Sequence, residues 1–128
     1  MNILLSSIYQ LLTIMNLRKI WYKNEELVKS HYIENGYKLI AKNYTIRWWE
    51  IDLLMRKWNE LIAIEVKTVD AIDELDNYIT PKKIWFLKKT LQSFLYENDA
   101  NWVDTVRMDA VFVKDGQILE IYENITNV

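Results

Sequence analysis

Two neighbouring apolar stretches of the sequence, residues 50–55 and 61–67, contain charged side chains. Asp52 lies in the first stretch, and Glu65 and Lys67 lie in the second. Carboxylates and a lysine are costly to bury unless they pair with one another or with a cation. Pairing among these three side chains and a divalent cation would compensate their charges. The pattern therefore indicates a candidate catalytic site.

A short polar connection, residues 56–60, separates the two stretches, which predicts two strands joined as a β-hairpin. Their apolar flanks favour the middle of a sheet that is covered on both sides. Because side chains alternate along a strand, Glu65 and Lys67 share one face. Glu50 and Asp52 likewise share one face of the neighbouring strand.

A structural ion pair is the alternative interpretation. Asp52 and Lys67 would then pair across the strands, and Glu65 would point to solvent from a strand end. Three charged groups in two adjacent apolar strands form a more specific pattern than a single pair, so we favour the site.

Composition limits the chemistry of such a site. The chain has 128 residues, of which 51% are hydrophobic and 27% are charged, as expected for one globular domain. The lack of cysteine excludes thiolate metal sites and permits a reducing cytoplasm, which is the location we expect. A metal ion would need oxygen ligands, which favours Mg²⁺ or Mn²⁺ over zinc. The net charge of −2 means that any nucleic-acid contact must come from local basic patches.

The N-terminal stretch before Arg18 is uncharged and rich in apolar residues. Interspersed polar residues make it a poor membrane span, and Arg18 and Lys19 follow it rather than precede it as in a signal peptide. We therefore expect no membrane partner, and an apolar extension at 1–18 outside a domain at 19–128. Met15 is a candidate alternative start, and an interfacial or partner-binding helix is the rival interpretation.

Residues 21–35 predict a helix that ends at Gly36. Glu25 falls on the margin of its buried face and could reach a site on the sheet below. A first-turn glutamate that is favoured by the helix dipole is an equally good interpretation. The buried face is expected to contain Trp21, Leu27, Val28 and Tyr32.

A second helix is expected to open at Thr80 with Pro81 in its first turn. Lys82 and Lys89 lie opposite its core face, and Lys83 lies on the shoulder. This basic surface is the candidate for backbone phosphate contacts, with a solvated helix face as the alternative. The expected core face contains Ile84, Leu87, Leu91, Phe94 and Leu95.

Three more strands complete the expected sheet: a semi-exposed one at 37–46 and two others at 107–113 and 117–122. Asp109 again places a carboxylate in an apolar strand. The acidic connection at 68–78 is expected to be a mobile loop near the site.

With these residues laid out, the chain resembles the YraN-like family of small bacterial proteins. That family is regarded as predicted endonucleases, distantly related to archaeal Holliday junction resolvases, within the PD-(D/E)XK superfamily. The resemblance covers about residues 22–121, and its most specific part is Glu-Ile-Asp-Leu-Leu at 50–54 followed by Ile-Glu-Val-Lys-Thr at 64–68. It implies an α/β, restriction-endonuclease-like fold for residues 19–128, with a central mixed sheet of about five strands flanked by helices. The other matching motifs are Asn24-Glu25, Glu34-Asn35-Gly36-Tyr37, Lys42-Asn43-Tyr44, Pro81-Lys82-Lys83 and Arg107-Met108-Asp109.

Carried over to this sequence, the resemblance makes Asp52, Glu65 and the backbone carbonyl of Val66 ligands of Mg²⁺ or Mn²⁺. Lys67 would be the catalytic lysine, and Glu25 would complete the site. Such a metal ion would polarise the scissile phosphate and lower the pKa of a bound water. Lys67 would orient that water and offset the charge that develops on the phosphorane.

The sequence departs from the family pattern at two places. Trp49, preceded by Trp48, stands where the family usually has glycine, and a tryptophan there would crowd the substrate or stack on a base. Both tryptophans are therefore candidate substrate contacts. Val69 and the acidic connection stand where the family tends to have arginine, which would weaken phosphate binding.

The expected function is a metal-dependent endonuclease that acts on DNA rather than RNA, on branched or structured substrates in repair or recombination. A homodimer is expected because related resolvases work as dimers. The alternative is a nucleic-acid-binding accessory protein of the same fold that turns over slowly or not at all. A third hypothesis is a small interaction domain whose charged strand residues are only ion-paired. Metal binding distinguishes the third from the others, and turnover distinguishes the first from the second.

Overall fold

The computed structural model describes residues 2–47, 49–69 and 78–125. Its sheet has five strands in the order β1-β2-β3-β4-β5, with β3 and β4 parallel and the other neighbours antiparallel. The expected α/β fold with a central mixed sheet flanked by helices is confirmed. The elements are α1 (Asn2–Glu34), β1 (Lys38–Ile46), β2 (Trp49–Lys57), β3 (Glu60–Thr68), α2 (Pro81–Glu97), β4 (Thr105–Lys114) and β5 (Gln117–Tyr122).

The predicted hairpin forms the middle of this sheet. Strands β2 and β3 pair antiparallel, with Lys57 opposite Glu60 next to the turn and Leu53 opposite Ile64 further along. Both strands are covered on their two faces, one by α1 and the other by α2, which accounts for their nearly continuous apolar sequences. Strand β1 lies at an edge of the sheet, as its mixed pattern indicated.

Helix α2 begins as the sequence predicts. Thr80 is its N-cap and accepts a hydrogen bond at its side-chain oxygen from the backbone N–H of Lys83, at 3.1 Å, and Pro81 opens the first turn. Capping therefore fixes the position of Lys83 at the start of the helix. The predicted core face is confirmed, since Leu87, Leu91 and Phe94 are buried and Ile84 and Leu95 pack against them.

Helix α1 is longer than expected. It begins at Asn2, not at Trp21, because neither glycine nor proline occurs before Gly36 to interrupt it. Among the described side chains of α1, the first buried one is that of Asn24. Trp21 is 51% exposed, so the prediction that it belongs to the buried face was wrong. Val28 and Tyr32 are buried as expected. The boundary expected between an extension and the domain falls within this continuous helix, and the division into an extension at 1–18 and a domain at 19–128 stays a prediction.

The exposed part of α1 carries large apolar side chains. Along the stretches of chain that the structure describes, no helix combines the length and the hydrophobicity that crossing a membrane requires. The exposed apolar side chains of this part include Leu4, Leu5, Ile8, Leu11, Leu12 and Met15.

Asp109 is a buried carboxylate with a structural role. Its side chain is fully buried in β4 and accepts hydrogen bonds from the Tyr32 hydroxyl at 2.7 Å and the Asn124 N–H at 3.0 Å. The Arg107 guanidinium donates to both of its oxygens, at 3.0 Å each. This network ties α1 to β4 and satisfies every oxygen of the buried charge.

Replacing Asp109 should therefore be strongly destabilising. The change Asp109→Asn leaves the Arg107 charge half-buried without its principal partner, which we expect to cost about 3–5 kcal/mol of unfolding free energy. The matched control is Glu60→Gln, because Glu60 is the other carboxylate at Arg107, at 3.4 Å, and its side chain is 33% exposed. It should cost about 1 kcal/mol or less. Urea unfolding measures both, and equal losses would contradict this assignment.

Candidate functional site

A cleft of about 330 Å³ opens at the end of the sheet where β2 begins and β3 ends. It brings together four residues that the sequence singled out for chemistry: Glu25, Asp52, Glu65 and Lys67. Helix α1 forms one wall, the two strands form the floor, and the first turn of α2 forms the other wall. The remaining lining residues are Trp21, Glu50, Val66, Thr68 and Lys83.

The cleft opens where the pairing between β2 and β3 stops. The strand pairing between β2 and β3 ends at Leu53 and Ile64. Beyond this pair, the backbone of β3 bonds to a side chain of β2 instead of to its backbone. The Asp52 Oδ2 accepts a hydrogen bond from the backbone N–H of Val66 at 2.8 Å. This bond holds the Asp52 carboxylate against the end of β3, next to Glu65.

Glu25 reaches the cleft because α1 is anchored to the same end of β3. The Asn24 side-chain amide donates a hydrogen bond to the Thr68 hydroxyl at 2.6 Å. Asn24 is buried, and this contact sets Glu25 on the adjoining position of the helix at the edge of the cleft. The margin position that helical spacing predicted for Glu25 is confirmed.

Glu65 is the least compensated of the three carboxylates. One of its oxygens, Oε2, lies 3.5 Å from the Lys83 ammonium, and the other, Oε1, is buried without a hydrogen-bond partner among the described residues. Burial raises the pKa of Glu65 to about 8, and the charge of Asp52 adds to this effect while Lys83 opposes it. By contrast, both oxygens of the buried Asp109 carboxylate, in the same sheet, accept hydrogen bonds. Glu65 differs in being left partly unsatisfied.

The other two carboxylates also hold their protons more tightly than usual. Burial raises the pKa of Asp52 to about 6, with the Val66 N–H opposing the shift. The pKa of Glu25 rises to about 7, first because of burial and then because of the charge of Asp52. Three neighbouring carboxylates with raised pKa values in one cleft are typical of a functional site.

The structural ion pair that was the alternative interpretation of the strand residues is wrong. Among the described side chains, Lys67 forms no ion pair with Asp52. Its ammonium lies 4.7 Å from the centre of the Tyr78 ring instead, and the Glu65 side chain is only 14% exposed rather than pointing to solvent.

Lys83 lines the cleft, which the sequence did not lead us to expect. It was expected to contact phosphates from the shoulder of an exposed face, but its side chain is only 21% exposed and pairs with Glu65. The N-cap at Thr80 turns it toward the sheet. A usable signal was present, because Lys83 lies four residues before Leu87 and seven before Thr90, both of which are buried.

The other candidate nucleic-acid contacts lie outside the cleft. Lys82 and Lys89 are exposed on the outer side of α2, and the Lys89 ammonium lies 5.4 Å from the centre of the Trp85 ring. Trp49 is half-buried and stacks on Phe86, with ring centres 5.1 Å apart and planes 8° from parallel. A base could use this face of Trp49 only by displacing Phe86. Trp48 and the acidic positions Asp70, Asp73, Glu74 and Asp76 lie outside the described residues.

The cleft offers oxygen ligands but no complete protein cage for a metal. Within residues 2–47, 49–69 and 78–125, no group of three or more His, Cys, Asp or Glu side chains is arranged to hold a metal ion. Asp52 and Glu65 nevertheless provide two hard oxygen donors, one of them the unpartnered Oε1 of Glu65. Magnesium is commonly held by one or two carboxylates together with water and substrate phosphate, so this donor set fits that ion.

The fold and the cleft define a class. A five-stranded mixed sheet with a helix on each face, and carboxylates and lysines at one end of the central hairpin, is consistent with a restriction-endonuclease-like α/β protein. Residues 24–113 match the family described as "Uncharacterised protein family UPF0102", and the chain belongs to this family. The resemblance to YraN-like proteins is thereby confirmed. The matched segment contains every residue that lines the cleft except Trp21.

Curated relatives carry the same family name and no stated activity. A UPF0102 protein of Flavobacterium johnsoniae is 31% identical over 112 residues, covering 80% of this chain and 87% of that protein. One from Helicobacter hepaticus is 33% identical over 93 residues, covering 73% of this chain and 81% of that protein. One from Carboxydothermus hydrogenoformans is 34% identical over 86 residues, covering 66% of this chain and 73% of that protein.

The raised pKa of Glu65 predicts how stability depends on pH without added divalent cation. As pH rises above the ordinary pKa of 4.5, the unfolded glutamate ionises while the folded one keeps its proton up to about pH 8. The contribution of Glu65 to the free energy of unfolding is therefore fully present below pH 4.5 and is lost as pH rises through 8. Glu65→Gln should raise the melting temperature at pH 8 by several degrees and change it little at pH 4.5.

The matched control for this measurement is Glu120→Gln, which removes an exposed carboxylate on β5 outside the cleft. It should retain the pH profile of the wild type in thermal unfolding followed by circular dichroism. A Glu65→Gln protein with an unchanged pH profile would show that Glu65 is not an uncompensated buried acid.

Proposed function

We propose that this protein is a metal-dependent endonuclease that hydrolyses DNA phosphodiester bonds, with branched or structured DNA as the substrate. The observation that carries the proposal is the buried, unpartnered Oε1 of Glu65 beside Asp52 in the cleft. A buried carboxylate oxygen without a partner is costly, and a divalent cation is the ligand that would compensate it.

Asp52, Glu65 and the backbone carbonyl of Val66 would hold Mg²⁺ or Mn²⁺. When bound, such an ion supplies Lewis-acid polarisation of a phosphate and a water of lowered pKa. The half-enclosed cleft leaves space for phosphate oxygens and water next to these ligands.

Two further side chains of the cleft have chemistry suited to hydrolysis. The Lys67 ammonium can donate to a non-bridging phosphate oxygen and offset the negative charge that develops in the transition state. Glu25, whose pKa is about 7, can accept a proton from water or return one at neutral pH. When Glu65 is ionised, Lys83 balances part of its negative charge.

Contacts to the DNA backbone would come from the outer side of α2. Lys82 and Lys89 are exposed there, on the helix whose first turn borders the cleft. Lysines bind phosphates without reading sequence, which suits recognition of DNA shape. Lys83 is turned inward, so the surface patch has one cation fewer than the sequence indicated.

A second candidate function is a nucleic-acid-binding accessory protein with little or no turnover. The described residues contain no three-ligand metal group, and Lys83 already pairs with one of the two carboxylates. Both observations favour weak metal binding. The stack of Trp49 on Phe86 also reduces the space above the strands where a substrate would approach.

Three variants separate these functions. With labelled four-way-junction, duplex and single-stranded DNA and Mn²⁺, the wild type should cleave, and Lys67→Ala should cleave at least about a hundredfold more slowly. Calorimetry should show that Lys67→Ala still binds Mn²⁺, whereas Asp52→Asn loses both binding and cleavage. Lys19→Ala, in the exposed part of α1, is the matched control and should behave as the wild type.

The outcomes discriminate clearly. Mn²⁺ binding without cleavage by the wild type would favour the accessory role. Neither binding nor cleavage would support the interaction domain, and equal cleavage by the wild type and Lys67→Ala would contradict the proposed role of that lysine.

A further inference from the structure

A tryptophan stands at the tip of the central hairpin in a backbone conformation that is unfavourable for it. The two-residue turn between Lys57 and Glu60 consists of Trp58 and Asn59, and Trp58 has a φ of 53°. This left-handed region favours glycine, asparagine and aspartate, and a bulky residue there is a true outlier. Strain of this kind persists where function or surrounding contacts require it.

The Trp58 ring contributes little to the core. It is 83% exposed. The Lys57 ammonium lies over one face, 5.5 Å from the ring centre, and the other face is open to a ligand. Its backbone is fixed nonetheless, because the Arg56 Nε donates a hydrogen bond to the Trp58 carbonyl at 2.6 Å. The Arg56 guanidinium is itself held over the Trp102 ring, 4.1 Å from its centre. The protein therefore holds a strained, exposed indole at a defined position.

The groove beside Trp58 is basic. It has a volume of about 440 Å³ and is lined by Gly36, Lys38, Arg56 and Trp58, with no carboxylate among these residues. Lys38 is exposed and lies opposite Arg56 in the pairing of β1 with β2. The groove thus places two cations next to one exposed aromatic ring.

The nearest carboxylates belong to the cavity on the other side of the turn. Glu60 pairs with Arg107 at 3.4 Å, and Asp104 accepts a hydrogen bond from the Asn59 side chain at 3.3 Å. The charge of Glu60 is therefore partly balanced by Arg107, and Asp104 is turned toward Asn59. The basic groove keeps its positive character.

We propose that this groove binds single-stranded nucleic acid, with a base stacked on Trp58 and backbone phosphates at Lys38 and Arg56. An exposed aromatic ring next to a positively charged groove is how proteins hold unpaired strands without reading their sequence. The groove lies toward the opposite end of β2 from Asp52: at about 3.3 Å per residue, Arg56 is about 13 Å and Trp58 about 20 Å from it along the chain. The inference shares with the proposed function only the class of ligand, because no cleft residue takes part.

The test is the affinity for fluorescein-labelled dT15 by fluorescence anisotropy in EDTA, where no metal-dependent cleavage occurs. We expect Trp58→Asn to weaken binding about tenfold, the loss expected for one stacked base. Because asparagine is favourable at a positive φ, the same variant should melt at or above the wild-type temperature. Lys38→Ala should reduce the slope of log Kd against log salt by about 0.7.

Two controls test whether the effect on dT15 binding is specific to the groove. Tyr96→Ala removes an aromatic ring that is 90% exposed on α2 and should leave dT15 binding unchanged. Lys19→Ala removes an exposed cation of α1 that belongs to neither the groove nor the cleft, and it should also bind dT15 as the wild type does. Undetectable binding by the wild type, unchanged binding by Trp58→Asn, or a lower melting temperature of that variant would each overturn the inference.

Discussion

The cleft of this protein depends on one electrostatic constraint, the burial of two adjacent carboxylates where the ladder between β2 and β3 ends. Asp52 uses one oxygen to replace the missing strand partner of Val66. Glu65 has a single ion pair, to Lys83, and one oxygen without a partner. Each carboxylate makes ionisation of the other less favourable, so the pair is stable as two anions only if a positive charge is supplied.

The surrounding elements place the charges that act on this pair. The Thr80 cap sets Lys83 over the end of β3, and the Asn24–Thr68 hydrogen bond brings α1 to the same edge. The neighbouring strand holds a buried carboxylate that is fully hydrogen-bonded: Asp109 accepts from Arg107, the Tyr32 hydroxyl and the Asn124 N–H. The difference between the two carboxylates, in one sheet, is what separates a structural charge from a candidate functional one.

Local patterns were sufficient to predict most of the fold. Two apolar stretches separated by a polar connection predicted the hairpin. Thr80 followed by Pro81 predicted the start of α2. Helical spacing placed Glu25 on the margin of α1, where the structure has it. Each of these features depends on residues that are close together in the chain, which is why periodicity and capping rules could find them.

The errors concern contacts between distant parts of the chain. Periodicity could not show that α1 continues past the sheet, which leaves Trp21 exposed, nor that Phe86 would cover Trp49. Lys83 was assigned to the basic surface because it lies on the shoulder of the face that carries Lys82 and Lys89, although its spacing to Leu87 indicated the sheet side. The strained conformation of Trp58 has no signal in the sequence, since asparagine or glycine is the residue expected at such a turn.

The most direct test of this account is the pKa of the Glu65 carboxyl, measured by carbon-13 NMR with and without Mg²⁺. The account predicts a pKa of about 8 without the ion, assigned by comparison with Glu65→Gln. Saturating Mg²⁺ should lower that pKa below the ordinary value of 4.5, because the bound cation favours the ionised form. A pKa near 4.5 without Mg²⁺, or a raised pKa that Mg²⁺ leaves unchanged, would contradict it.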